Sequence, residues 1–214
     1  MSASRHVTFF HALNSRSVVA RVLLEELGAD YDVHLLDLRA GTQREPAYLA
    51  INPMGKVPAV THRGVTVTEC AAVCAYLADA FPEAGLAPAL GDPARGTYLR
   101  WMFFTAGPVE AAVTAKSLDL LAPAEKAGMV GYGSFEQVVD ALEAAVSGPG
   151  PWILGDRFSA ADVYVGSQIG WGLQFKSLPD RNAFKAYAGR LFQRPAAIRA
   201  REIDDALAAA NSNG

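Results

Sequence analysis

The spacing of apolar positions shifts repeatedly along this chain, and each shift marks an element. Val7 to Phe10 is a short apolar run that suits a buried strand. From Val18 to Leu27 the period lengthens: Ala20, Leu23, Leu24 and Leu27 follow the i, i+3, i+4, i+7 rule of a helix, and Gly28 stops it. Tyr31 to Leu38 reads as a second strand. Arg39 to Ile51 is a polar loop with one helical turn around Pro46 to Ala50. Ala59 to Thr61 and Val65 to Thr68 are β-prone runs around Arg63-Gly64, which predicts a hairpin. An alanine-rich helix follows over Ala71 to Ala80, with Val73, Tyr76, Leu77 and Ala80 on one side.

Phe81 to Pro93 holds three prolines and two glycines and is the one clear linker. Beyond it strand signals vanish. Ala94 to Leu121 predicts a long helix bent at Gly107-Pro108. Phe135, Val138, Val139, Leu142 and Val146 mark another. Ala160 to Phe175 is apolar nearly all round, so it is the expected core helix of this half. Phe184, Tyr187 and Leu191 mark one more, and Pro195 opens the last, whose tail beyond Ala210 is expected to fray. The expected division is residues 1–82, a linker at 83–92, and an all-α domain over 93–214.

Composition narrows the function classes. Hydrophobic residues make up 51% of the 214, enough for a sizeable core. The net charge is −3 and the pI about 5.8, so no broad basic field draws nucleic acid or membrane phosphate. Cys70 and Cys74 lie one helical turn apart, a poor geometry for a disulfide. Met1 to Arg5 lacks the apolar run of a signal peptide, and no run approaches the ~20 residues of a membrane helix. A soluble cytoplasmic protein is expected. His6, His11, His34 and His62 show no metal-ligand spacing, and no phosphate loop or dinucleotide fingerprint is present. No metal or resident cofactor is expected.

The chemistry concentrates between Asn52 and Cys70. Asn52-Pro53-Met54-Gly55-Lys56-Val57-Pro58 is a turn running into a strand. Only an X-Pro bond takes the cis form at a cost of about 0.5–1 kcal/mol. A cis Val57-Pro58 bond would turn the Val57 N–H and C=O toward an extended peptide alongside. Glu69-Cys70 would present an acid and unpaired backbone N–H groups at a helix N-terminus, where a carboxylate binds readily. Glu69 would hold an ammonium. An edge for a peptide, a seat for a carboxylate and a partner for an amine suit glutathione, which carries all three groups.

Asn-Pro-x-Gly-Lys-Val-Pro followed by Thr68-Glu69-Cys70 resembles the glutathione-binding signature of the glutathione transferase family, in which the last residue is usually serine. The resemblance covers most of the chain. It agrees with the order β-α-β then β-β-α, that of a thioredoxin-like N-terminal domain, followed by a helical-bundle C-terminal domain. It implies activation of the glutathione thiol for attack on a small hydrophobic electrophile, glutathione being a co-substrate. It implies a homodimer as well. Glutathione-binding residues would be Lys56, Val57, Pro58, Glu69 and Cys70, with Gln43 and Arg44 near the glycine end.

The loop from His11 to Ser17 lies where a thioredoxin-like fold puts its chemistry. Ser15-Arg16-Ser17 is similar to a Ser-Arg-Ser motif of bacterial transferases. It departs from the beta-class pattern Gly-Ser-Cys-Ser, with Arg16 where that class has cysteine, which counts against a disulfide reductase or peroxidase. Ser15 is the leading candidate to hold the thiolate, with Asn14 and Ser17 as rivals. Each could instead cap the helix. Trp101, Phe104, Trp171 and Phe175 are the candidate electrophile pocket, against plain helical core. Ser159 and Asp162 have capping-box spacing, which predicts a structural role for Asp162. A non-catalytic, glutathione-transferase-like binding or scaffold protein is the other reading.

Overall fold

β1 (His6–His11) is the central strand of a four-stranded sheet ordered β2-β1-β3-β4. The computed structural model describes residues 5–212; Met1 to Ser4 and the last two residues of the expected fraying tail lie outside them. β1 runs parallel to β2 (Asp30–Leu35), and α1 (Ser17–Leu27) makes the crossover. β3 (Ala59–His62) pairs antiparallel with β1 and with β4 (Val65–Thr68), closing the expected hairpin. Central position explains the apolar run in β1: Val7 and Phe9 are completely buried. β2 is an edge strand whose Asp30 and Asp32 are exposed, and charge there discourages edge-to-edge pairing.

β2 is shorter than the expected Tyr31 to Leu38. The Leu36 N–H still reaches the His11 carbonyl at 2.7 Å, but the Asp37 carboxylate then accepts the Arg39 and Ala40 N–H groups at 2.8 and 3.1 Å. This local turn takes over the backbone groups that would extend the ladder. A 3-10 turn (Thr42–Arg44) and α2 (Pro46–Leu49) lead to the hairpin, and α3 (Cys70–Ala80) follows it.

The chain packs as two compact units, one of residues up to Leu86 together with those from Gln193 on, the other Ala87–Phe192. In the first, α9 (Pro195–Ser212) lies against α1. Arg194 forks onto Glu26 at 2.5 and 2.8 Å, and Asp204 sits 2.6 Å from Nε of the fully buried Arg21. The second unit is all helical: α4 (Ala94–Phe104), α5 (Glu110–Ser117), α6 (Phe135–Val146), α7 (Ala160–Gln174) and α8 (Asn182–Phe192). α7 is its core helix, as its apolar circumference predicts. A methyl at Gly172 would lie 2.5 Å from Leu178, so glycine permits that close approach.

The predicted bend at Gly107-Pro108 takes a specific form, a π-turn over Thr105–Val109 between α4 and α5. Pro108 has no N–H for a helical bond, and a wider turn absorbs the loss. The helix ends at Ser117, short of Leu121, with Asp119 at φ 56° reversing the chain. The architecture is thus a thioredoxin-like N-terminal domain plus a helical region. Among the described residues no helix is long and apolar enough to cross a membrane.

Candidate active site

The turn before β3 is built around Asn52, which is almost fully buried. Its side-chain carbonyl accepts the Met54 N–H at 3.1 Å, and its own carbonyl accepts the Gly55 N–H at 2.9 Å. Its amide and the Tyr48 hydroxyl both donate to the Lys56 carbonyl, at 2.8 and 2.5 Å. In a trans peptide the C=O and the next N–H point opposite ways. Anchoring the Lys56 carbonyl on Tyr48 and Asn52 therefore aims the Val57 N–H away from them. Gly55 is required twice over: its φ is 60°, and a Cβ would meet the Gln43 carbonyl oxygen at 3.0 Å. The Val57-Pro58 peptide bond is cis. Lys56 is exposed, Val57 half-buried and Pro58 buried. Asn52 opens the sequence motif, but Tyr48 lies outside it, and the anchoring of the Lys56 carbonyl by the two together emerges only in the folded turn.

Two strands later the chain enters α3 through Glu69, at φ 64° and ψ 119°. No side chain caps this helix, so its first-turn N–H groups are available to a carboxylate. The Glu69 side chain is exposed beside them. Cys70 Sγ lies 3.8 Å from the Arg16 carbonyl, which brings the α3 N-terminus against the loop after β1. Its neighbour Cys74 is fully buried; the hydrogen bond with Cys70, then burial, pushes the Cys74 thiol well above its ordinary range, which leaves it unreactive.

That loop holds the three thiolate candidates in different settings. Asn14 is exposed at φ 54°, a left-handed conformation that asparagine tolerates. Ser15 is 8% exposed; its hydroxyl lies 2.7 Å from the Ala12 carbonyl and 2.6 Å from Ser17 Oγ, and it accepts the Ser17 N–H at 3.2 Å. Ser17 is completely buried, with Oγ accepting the Ala12 N–H at 3.1 Å and meeting His11 Nδ1 at 2.8 Å. Ser15 thus caps the first amide of α1, its neighbour Arg16 meets the α3 N-terminus, and Ser17 faces inward.

Gln43 and Arg44 lie on the 3-10 turn, and Gln43 Oε1 is buried without a hydrogen-bond partner. The four aromatics expected to line an electrophile pocket fall into separate pairs in the second unit. Trp101 and Phe104 meet edge-on at 5.2 Å, with Trp101 buried in the helical core. Trp171 and Phe175 meet at 5.1 Å near the end of α7, with Phe175 exposed. Asp162 is wholly structural: it accepts hydrogen bonds from the Ser159 N–H and hydroxyl, the Ile153 N–H and the Tyr187 hydroxyl, at 2.8, 2.8, 2.8 and 2.6 Å.

Residues 5–79 match the family model described as glutathione S-transferase, N-terminal domain. The chain is 27% identical over 205 residues to glutathione S-transferase GstA of Escherichia coli O157:H7, covering 94% of this chain and 96% of that one. It is 30% identical over 170 residues to maleylacetoacetate isomerase of Pseudomonas aeruginosa, covering 76% and 78%. Among solved structures, a sphingomonad glutathione S-transferase complexed with glutathione is 31% identical, with a TM-score of 0.74 over 92% of this chain and 98% of that one. The chain belongs to the glutathione S-transferase family.

Proposed function

We propose that this protein binds glutathione in its first unit and adds the thiolate to a small hydrophobic electrophile, glutathione being consumed as co-substrate. The observation that carries the reading is a turn that aims the Val57 N–H away from Tyr48 and Asn52 and leads through one hairpin to the uncapped N-terminus of α3 behind Glu69, where Cys70 meets the Arg16 carbonyl of the Ser15 loop. In this reading Val57 pairs with the tripeptide backbone. The amides at Cys70 and beyond receive the γ-glutamyl carboxylate, Glu69 holds the amine, and Lys56 meets a carboxylate. Cys70 offers its N–H as serine would, though its S–H is the weaker donor. Ser15 stands nearest the thiol.

The likeness to glutathione S-transferases, one of them solved with glutathione, supports the co-substrate. A panel of chlorinated arenes, epoxides and α,β-unsaturated carbonyls, assayed with glutathione, tests the transfer. Turnover of at least one class is expected. Tight glutathione binding with no turnover on any class would favour the scaffold reading.

A further inference from the structure

We propose that His11 is a positioning residue that takes up the thiol proton, through Ser17 and Ser15, when bound glutathione ionises. This rests on the glutathione reading above. The atoms form a continuous chain inside the first unit: Ser15 Oγ to Ser17 Oγ 2.6 Å, Ser17 Oγ to His11 Nδ1 2.8 Å, and His11 Nε2 to Asp204 Oδ1 3.2 Å. Ser17 and His11 are completely buried, while Ser15 is 8% exposed at one end and the Asp204 side chain 13% exposed at the other.

The neighbours favour one direction along the chain. Asp204 Oδ1 offers only lone pairs and lies 3.2 Å from Nε2, which favours the tautomer with the proton on Nε2 although that N–H is not aligned on the oxygen. Nδ1 then accepts from the Ser17 hydroxyl at 2.8 Å, in competition with the Ala12 carbonyl, which the same hydroxyl reaches at 3.1 Å. Ser17 Oγ accepts the Ala12 N–H and can accept from Ser15, whose hydroxyl is directed inward to Ser17 or to the Ala12 carbonyl. One Ser15 lone pair takes the Ser17 N–H, and the other is left for an incoming S–H. In this state Ser15 is arranged to accept a proton from a thiol, not to donate to a thiolate.

Transfer reverses the chain. The S–H bond breaks, its electron pair stays on sulfur, and its proton binds Ser15 Oγ. The Ser15 proton passes to Ser17 Oγ, and the Ser17 proton to His11 Nδ1. The products are a thiolate and an imidazolium. Each hydroxyl now points the other way, so Ser15 donates to the thiolate it helped to form. The positive charge gained inside matches the negative charge on sulfur.

The charged surroundings of His11 are compatible with this. Asp204, from α9, also lies 2.6 Å from Arg21 Nε of α1; neither N–H is aligned on the oxygen, so both are close charge contacts. Arg21 Nη1 donates to Tyr31 of β2 at 3.2 Å, and Tyr31 donates to Glu25 at 2.6 Å. Burial, then the Glu25 bond, pushes the Tyr31 hydroxyl up to about 12, so it does not compete as a proton source. An Arg21–Asp204 tie between α1 and α9 would need no histidine on its other side and no hydroxyl wire to the surface.

Nitrogen-15 NMR of the His11 ring in the wild-type protein tests the proposal without any substitution. With glutathione bound at neutral pH, both ring nitrogens should carry protons. With S-methylglutathione, which has no thiol proton, Nδ1 should stay bare. The same ring state in both complexes would overturn the relay. The ultraviolet absorbance of the bound thiolate, followed against pH, gives a second readout. Ser17→Ala and Asp204→Asn should each raise its midpoint by about one unit, roughly tenfold less thiolate below the midpoint. Calorimetric affinity for S-methylglutathione should stay within about twofold. A midpoint unmoved in Asp204→Asn, the variant that keeps side-chain shape, also overturns the relay and leaves the glutathione reading standing. A wild-type protein that binds neither peptide overturns that reading itself.

Discussion

Glu69 carries the most informative backbone angles in the molecule. At φ 64° and ψ 119° a non-glycine residue sits in a region that costs about 1–3 kcal/mol, and such strain persists where the side chain is needed. Glu69→Gly should therefore raise the melting temperature, by up to several degrees for a gain of ~1 kcal/mol, while weakening glutathione binding. A lower melting temperature would mean that the strain is not there. The residue scale was legible in the sequence where a motif of fixed spacing carried it: the cis Val57-Pro58 bond and the start of α3 at Glu69-Cys70. It was not legible for Tyr48 and Asn52, whose task, holding the Lys56 carbonyl, exists only once the turn has folded. Arg21 did leave a signal. It stands among Ala20, Val22, Leu23 and Leu24 in an apolar helix, where a cation needs an anion from elsewhere. Nothing in the sequence around Asp204 names it as that anion.

At the scale of the element, the N-terminus of α7 is the most heavily determined point of the second unit. Asp162 bonds its own helix start, the Ile153 amide and Tyr187 of α8, so it fastens a loop and a neighbouring helix as well as the cap. Asp162→Ala would leave those donors buried and unpaired at about 1–3 kcal/mol each. Destabilisation of at least ~3 kcal/mol in urea unfolding is expected, beyond the ~0.5–2 kcal/mol of an ordinary cap. A loss within the capping range would show that Tyr187 and Ile153 find other acceptors. Burial raises the Asp162 carboxyl above its usual 3.8, against the opposing pull of its hydrogen bonds from Tyr187, Ile153 and Ser159. The folded value then exceeds the unfolded one. Its contribution to stability is full below the unfolded value and is lost as pH rises through the folded value. Stability of the wild type relative to Asp162→Asn should therefore grow as pH falls from neutral toward 4, and a constant difference would contradict the shift. Capping spacing made the helix start readable; the reach to Tyr187 depends on how α7 and α8 pack, which no local pattern encodes.

For the whole molecule, periodicity alone separated a mixed first half from a helical second half, because strands of a central sheet and amphipathic helices leave different apolar spacings. It did not indicate that the last helix packs on α1, where ion pairs of Arg194, Arg199 and Asp204 join residues far away in sequence. The homodimer implied by family membership is a proposal of the same scale. Light scattering at micromolar concentration should give twice the chain mass, and a monomer mass would refute it. The central claim, that the first unit seats glutathione between the Val57 turn and the N-terminus of α3, is tested most directly by titration calorimetry of the wild type beside Glu69→Ala. One glutathione bound per chain is predicted, with affinity falling roughly 10–100-fold in the variant for loss of a hydrogen bond to a charged group. No heat of binding in the wild type, or the same affinity in both proteins, would contradict it.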